Sequence, residues 1–306
     1  MRLHSMLIAA VLLVSCSEAD ERSAGNAPSE LPPDVRQDRE TKLDQARATW
    51  EANPSDADAI IWLGRRTAYL GGYRDAIAIY SEGIEVHPDD PRMYRHRGHR
   101  YITVRQFDDA VADLEKAAEL ISGTADEVEP DGLPNALNIP TSTLHSNIWY
   151  HLGLAYYLKG DLENALRTYR ECMKVSNNPD MLVATTHWLY MTLRRLGREE
   201  EASAVLEPID AGMDIIENQS YQRLLLMYKG ELDTDDLLAE AEAGSAIENA
   251  TLGYGIGNWQ AYNGRPKQAE EVLRNVLKGP QWAAFGYIAA EADLKRLQDL
   301  GALGSL

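Results

Sequence analysis

Apolar residues in this chain recur at helical spacing in short blocks, and each block breaks at a small polar turn: "LGGYRD", "VRQFDD", "LKGDLE", "LGREEE" and "NGRPKQ". Helix, turn and second helix follow one another with too few residues between them for anything but antiparallel hairpins. The blocks also repeat. Gly64 and Gly98 lie 34 residues apart, as do Ala76 and Ala110, Tyr80 and Leu114, and Gly83 and Ala117. Trp149, Leu152, Gly153, Tyr156, Ala165, Tyr169 and Cys172 continue the register, with Gly153 displaced from Gly98 by one such unit plus a 21-residue insertion. Two helices approach closely only where one presents Gly or Ala, and large apolar side chains then fill the space on either side. Each hairpin leaves an apolar face for the next, so the units must stack.

The pattern predicts an all-α solenoid over residues 34–300, with units at about 57–90, 91–122, 146–179, 183–210, 219–243 and 250–279 and an insertion loop at 123–145. Ahead of it, "DVRQDRETKLDQARATWEANP" places Val35, Leu43, Ala46 and Trp50 at near-helical spacing before the Asn53-Pro54 stop, as expected for an N-terminal capping helix. The fourth unit carries Tyr190 where the others have a small residue, the fifth is short, and the sixth restores Gly257 and Ala269. "QWAAFGYIAAEADLKRL" is expected to be a terminal helix covering the last open face.

The order Trp149-x2-Leu152-Gly153-x2-Tyr156, then Ala165-x3-Tyr169, with Pro54 and Pro88 closing earlier units, resembles the tetratricopeptide repeat (TPR). The resemblance implies a TPR superhelix whose first helices line a concave groove. Carried onto this chain, the groove residues are Ile61, Arg65, Arg92, Arg95, His99, Tyr150, Leu154, Tyr157, His187, Met191 and Arg194, running from a basic end to an aromatic and aliphatic middle. A peptide with acidic and apolar residues suits such a surface, because guanidinium forks pair with carboxylates and tyrosine offers rigid contact area. A basic face balanced by Asp89, Asp90 and neighbouring acids is the competing reading. The Lys and Asn pattern of a chaperone-tail carboxylate clamp is missing, since Ile61 and Arg65 hold those places.

The amino terminus adds a membrane. Arg2, an apolar run from Met6 to Val14 and then Leu13-Val14-Ser15-Cys16 resemble a bacterial lipoprotein signal, with 1–15 removed and Cys16 acylated. The run is too short to span a bilayer as a helix. Residues 16–33 are polar, acidic and Pro-containing, suited to a flexible tether. By resemblance to enterobacterial sorting signals, Ser17 directs such a chain to the outer membrane, facing the periplasm. A net charge of −18 argues against nucleic acid and leaves the anchoring to lipid rather than to basic patches.

Chemistry beyond binding is hard to find. Cys172 stands where other units have Gly83 and Ala117, a small residue at a helix crossing, and His151 points away from the helix that bears it. "GYGIGNW" at 253–259 follows no strand and belongs to a repeat helix, while His96 and His99 have no third ligand in sequence, so neither a cofactor nor a metal is expected. The insertion is the other candidate surface, with Asp131, Asn135 and Asn138 as polar contacts. Long irregular loops are often functional, yet loop length alone costs little.

Lipobox, tether, repeat array, the "HWLYMTLRRLG" unit, the "MYKGELDTDDLLAEA" hairpin and a closing helix together resemble bacterial TPR lipoproteins of the new lipoprotein I type. That resemblance implies a non-enzymatic, membrane-anchored adaptor that organises envelope enzymes or assemblies through protein partners. A pilotin-like assembly factor for a secretin, an enzyme using the insertion and Cys172, and a homodimer stay open as alternatives.

Overall fold

The computed structural model describes residues 31–303, and among these it is all helical apart from one isolated bridge, Val128 with Thr143. The expected signal peptide, Cys16 and residues 16–30 of the tether lie outside the described residues. A first helix, α1 (Pro33–Ala52), leads into six hairpins: α2 (Ala57–Tyr69) with α3 (Tyr73–Val86), α4 (Pro91–Thr103) with α5 (Phe107–Leu120), α6 (Leu144–Lys159) with α7 (Leu162–Val175), α8 (Pro179–Arg195) with α9 (Glu199–Val205), α10 (Gln219–Tyr228) with α11 (Thr234–Ala243), and α12 (Ala246–Tyr262) with α13 (Pro266–Val276). The chain closes with α14 (Phe285–Leu303).

Local chemistry explains the boundaries. Asp56 and Asn178 accept N–H bonds from Ala59 (2.8 Å) and Met181 (2.9 Å), capping α2 and α8. Thr143 and Ser146 form a reciprocal capping box that ends the insertion and starts α6. Proline begins α4, α8 and α13, where its missing N–H is not needed. Gly160 closes α6 at φ 85°.

The small-against-large pairing builds each crossing. A Cβ on Gly64 would sit 2.5 Å from the Tyr80 ring, one on Gly98 2.7 Å from Leu114, and one on Gly153 2.6 Å from Tyr169. The fourth unit departs from this rule. Tyr190 is buried away from that crossing and stacks on Tyr228 of the next unit, rings 4.5 Å apart and 12° from parallel. Its partner helix α9 is only 7 residues long. The connector that follows is held by the buried Asp180, whose carboxylate accepts the N–H groups of Ile216, Glu217 and Asn218, each at 2.9 Å.

The end of the chain departs furthest from expectation. Instead of lying over the last unit alone, residues 282–296 run back through the inside of the superhelix. Trp282 meets Tyr73 and Arg105 of the first two units, Phe285 meets His99 and His151, and α14 packs on α6, α12 and α13. The stripe Ile288, Ala289, Ala290 and Leu294 is buried, so α14 covers the last unit as expected and also reaches back to α6 inside the array.

Replacing Gly153 by Val should therefore lower stability by about 2–3 kcal/mol through overpacking against Tyr169. Thermal unfolding followed by circular dichroism checks this; an unchanged midpoint would contradict the crossing.

Candidate functional site

Three surfaces carry the residues that the sequence marks for binding. At the basic end of the concave face, α2 and α4 bring Arg65 and Arg95 together, but the insertion loop lies across them. Glu129 sets one carboxylate oxygen 3.0 Å from Arg95 Nε and the other 3.9 Å from Arg65 Nη1. Arg95 Nε makes no hydrogen bond, so this contact is an ion pair with the N–H off line. Arg65 and Arg66 donate to the carbonyls of Pro130 (2.8 Å) and Gly132 (2.9 Å). Gly132 is buried there, and a Cβ at this position would lie 2.0 Å from the Tyr69 hydroxyl, so only glycine lets the loop sit down. Arg92, expected in the groove, instead bridges Asp90 and Asp58 (2.6 Å), tying the starts of α4 and α2. Its charge is used within the scaffold.

In the middle of the face, Tyr150, Leu154 and Tyr157 do point inward, but all three are buried. Tyr150 accepts from Trp188 Nε1 (2.7 Å), and Tyr157 meets the Tyr254 hydroxyl at 2.9 Å. Asp293 of α14 lies beside them, accepting from Tyr254 (3.0 Å), Arg195 (2.6 Å) and Arg296. Glu291 pairs with Arg105 at 2.7 Å. His187 and Met191 are buried as well, with His187 against Tyr221 and Tyr228, and Arg194 covers Tyr262. The acidic and apolar occupant anticipated as a foreign peptide is thus supplied by the chain itself, through Glu129 at one end and α14 in the middle.

The third surface is the outside of the insertion. Here the polar residues singled out by sequence shape the loop. Asp131 accepts Leu133 N–H (3.0 Å), Asn135 accepts from Leu137 (3.1 Å) and Ile139 (3.2 Å), and Asn138 holds a left-handed turn at φ 53°. Beside exposed acids, the loop shows four large apolar side chains to solvent: Val128 60%, Leu133 48%, Leu137 64% and Ile139 48% exposed. A loop whose turns are locked by Asx bonds and whose base is clamped by Arg65, Arg66 and Glu217 presents these side chains rigidly.

Cys172 has no exposure, and its thiol lies 3.3 Å from the Thr185 hydroxyl. Burial pushes it up to about 11, so it is protonated at neutral pH. His151 is elsewhere, bonded through Nδ1 to the Asn147 carbonyl oxygen and 4.3 Å from the His99 ring. A cysteine–histidine nucleophile does not form here. His96 and His99 also part company, His96 against Tyr80 and His99 against His151, and among the described residues no group of His, Cys, Asp and Glu could hold a metal ion. No helix among them is long and apolar enough to cross a membrane.

Sequence reasoning missed Glu129, Gly132, Asp180 and Asp293. Asp293 alone carried a signal, as a charge inside the apolar stripe of "FGYIAAEADLKRL". Glu129 was one acid among several in the loop.

With this geometry in hand, comparison with known proteins is informative about the repeat. Residues 146–179, α6 with α7, match the family model of the tetratricopeptide repeat. BBSome complex member BBS4 of Bos taurus is 28% identical over 141 residues, 46% of this chain and 23% of that protein, so the chain spans about a quarter of the relative's length. Among solved structures, YrrB, a TPR protein with an unusual peptide-binding site, is similar over 81% of this chain and 97% of its own at 16% identity and TM-score 0.43. A putative kinesin light chain from Podosopora anserina with nearly identical TPR-like repeats is similar over 74% of this chain and 95% of its own, at 16% identity and TM-score 0.42. The chain is an all-α solenoid containing a tetratricopeptide repeat, a class of fold that serves as a protein–protein interaction scaffold.

Filling the interior has a consequence for pH. Burial holds His187 down at about 3, and burial followed by Arg95 holds His96 and His151, and burial followed by Arg100 holds His99, well below the ordinary range. The unfolded chain takes up these protons near pH 6.5 and the folded chain does not, so this stabilisation is complete above that pH and is lost as pH falls toward the folded values. For His187 alone the loss by pH 5 should be about 2 kcal/mol. Denaturant midpoints measured from pH 7.5 to 5 should fall with proton uptake on unfolding; a flat profile would contradict neutral buried histidines.

Proposed function

We propose that the chain is a lipid-anchored envelope scaffold, facing the periplasm, whose free partner site is the outer face of the insertion loop rather than the concave groove. The observation that carries this reading is the exposure of Val128, Leu133, Leu137 and Ile139, four of the seven most exposed large apolar side chains among the described residues. Clustered apolar surface on a pinned loop marks an interaction site more often than scattered exposure does. The loop also bears Asp126, Glu127 and Asp131 and no basic residue between 123 and 143. Its partner is therefore a protein with an apolar cleft and a basic rim. Membership of a complex, as for the relative BBS4, is in keeping with this role. The concave face is already engaged, and opening it means re-exposing Ile288 and Leu294, each worth roughly 1.5–3 kcal/mol of burial.

The anchor rests on Leu13-Val14-Ser15-Cys16, with the tether from Ser17 holding the solenoid away from the bilayer. A photo-crosslinking residue at Leu137 should trap one discrete protein in cell envelopes, and Leu133→Ser with Ile139→Ser should abolish that adduct without changing helicity. An adduct that survives the double substitution, or none at all, contradicts the loop site. Replacing Cys16 by Ala should move the chain from the membrane to the soluble fraction; full retention in the membrane contradicts lipidation.

A further inference from the structure

Beneath the insertion loop is a cavity of about 270 Å³, between α2, α4 and the loop. Its floor brings together three guanidiniums, Arg65, Arg95 and Arg100, with His96 and His99. Arg95 is only 7% exposed and its Nη1 donates to His96 Nδ1 at 3.0 Å, which fixes that imidazole as a neutral acceptor. His96 therefore adds no charge, and burial with the neighbouring Arg100 holds His99 well below its ordinary range. Among the described residues Glu129 is the one carboxylate that pairs with these arginines, and it is shared by two of them. Arg100 has no carboxylate partner among the described residues. Its guanidinium lies 5.7 Å from the centre of the Tyr73 ring and within electrostatic reach of the Tyr80 and Tyr69 phenols, none of which balances its charge.

Such an arrangement is costly as it stands. A largely covered guanidinium normally pairs with a carboxylate or accepts a large desolvation penalty, and here one acid serves two guanidiniums and leaves the third without one. Arg95 Nε, buried and without a hydrogen bond, adds a donor with no acceptor. The rim has the opposite sign. Asp131 and Glu217 line the mouth beside Pro130, Leu133 and Pro140. A cationic floor, an acidic rim and apolar walls suit a ligand with its negative end inward, its positive end outward and a carbon body between them.

We propose that this cavity binds a small zwitterionic carboxylate of the amino-acid class, its carboxylate on Arg95 and Arg100 and its ammonium toward Asp131 and Glu217. Guanidinium forks match a planar carboxylate, and the volume is at the small end of ligand sites, enough for a single amino acid and not for a folded peptide. Glu129 and the Gly132 contact hold the loop over the floor as a lid, so an extended peptide cannot lie along the arginines. The site shares Leu133 with the apolar outer face of the same loop, but its charged floor is distinct from that face and it does not depend on the scaffold reading.

Isothermal titration calorimetry of the full chain with each free L-amino acid, with the N-acetyl derivative of the best binder and with inorganic phosphate tests this. At least one free amino acid should bind at one per chain, its N-acetyl form at least tenfold more weakly, and Arg100→Gln should weaken binding at least tenfold. In the absence of ligand, Arg100→Gln should raise the melting temperature, because it removes an unpaired charge beside Arg95; a merely structural arginine would lower it. No binding by any amino acid, equal binding of the N-acetyl form, binding of phosphate alone, or undiminished affinity in Arg100→Gln would each overturn the assignment. Should Arg100→Gln fail to fold, Asp131→Asn, at the exposed rim, gives the same reading: the amino acid should lose affinity while its N-acetyl form does not, and equal loss for both overturns the assignment.

Discussion

The interior of this superhelix closes on one buried carboxylate. Asp293 accepts from Arg195, Arg296 and the Tyr254 hydroxyl, and Tyr254 in turn reaches Tyr157, so the last helix, the sixth unit, the fourth unit and the third unit meet within one polar cluster. Repeat arrays otherwise hold together by neighbour contacts alone, which leaves the ends free to move relative to one another. Here the apolar stripe of Ile288, Ala289, Ala290 and Leu294 and this cluster couple distant units. Removing one member of such a buried pair strands the other charge, an effect of about 3–5 kcal/mol. Arg105 with Glu291 and Trp282 extends the same tie to the second unit.

A filled groove changes where function can reside. Guanidiniums and tyrosines facing inward resemble a peptide receptor, but Glu129, Asp293 and the apolar side chains of α14 already meet them. On the side of the insertion, its outer face and the small cavity beneath it are left free. Both depend on the same clamp, Arg65 and Arg66 on the carbonyls of Pro130 and Gly132. Rigid elements hold the loop, and the loop presents what they do not, the arrangement by which scaffolds commonly carry binding residues.

Much of the fold was legible in the sequence because its determinants are local. Gly64, Gly98 and Gly153 announce their crossings through the large residue each faces, and turns, prolines and caps punctuate the hairpins where their backbone needs dictate. The inward direction of Tyr150, Leu154 and Tyr157 follows from helical period as well. Their burial does not, because it depends on a segment more than a hundred residues away in sequence returning to the same space. Arg92 was misplaced for a related reason: Asp58 and Asp90 reach it only once two units are stacked. In the insertion, Asp131, Asn135 and Asn138 were visible as polar residues, but whether an Asx side chain contacts a partner or its own backbone is a matter of turn geometry that composition does not record.

Native-state hydrogen exchange resolved along the chain tests the central claim most directly. If α14 is an integral filler of the superhelix, amides of Ile288 to Leu294 should exchange as slowly as those of Leu152 to Tyr157 in α6, both opening only with the array as a whole. Exchange of the α14 amides within seconds, while α6 stays protected, would show a detachable tail and an open groove, and would contradict the account.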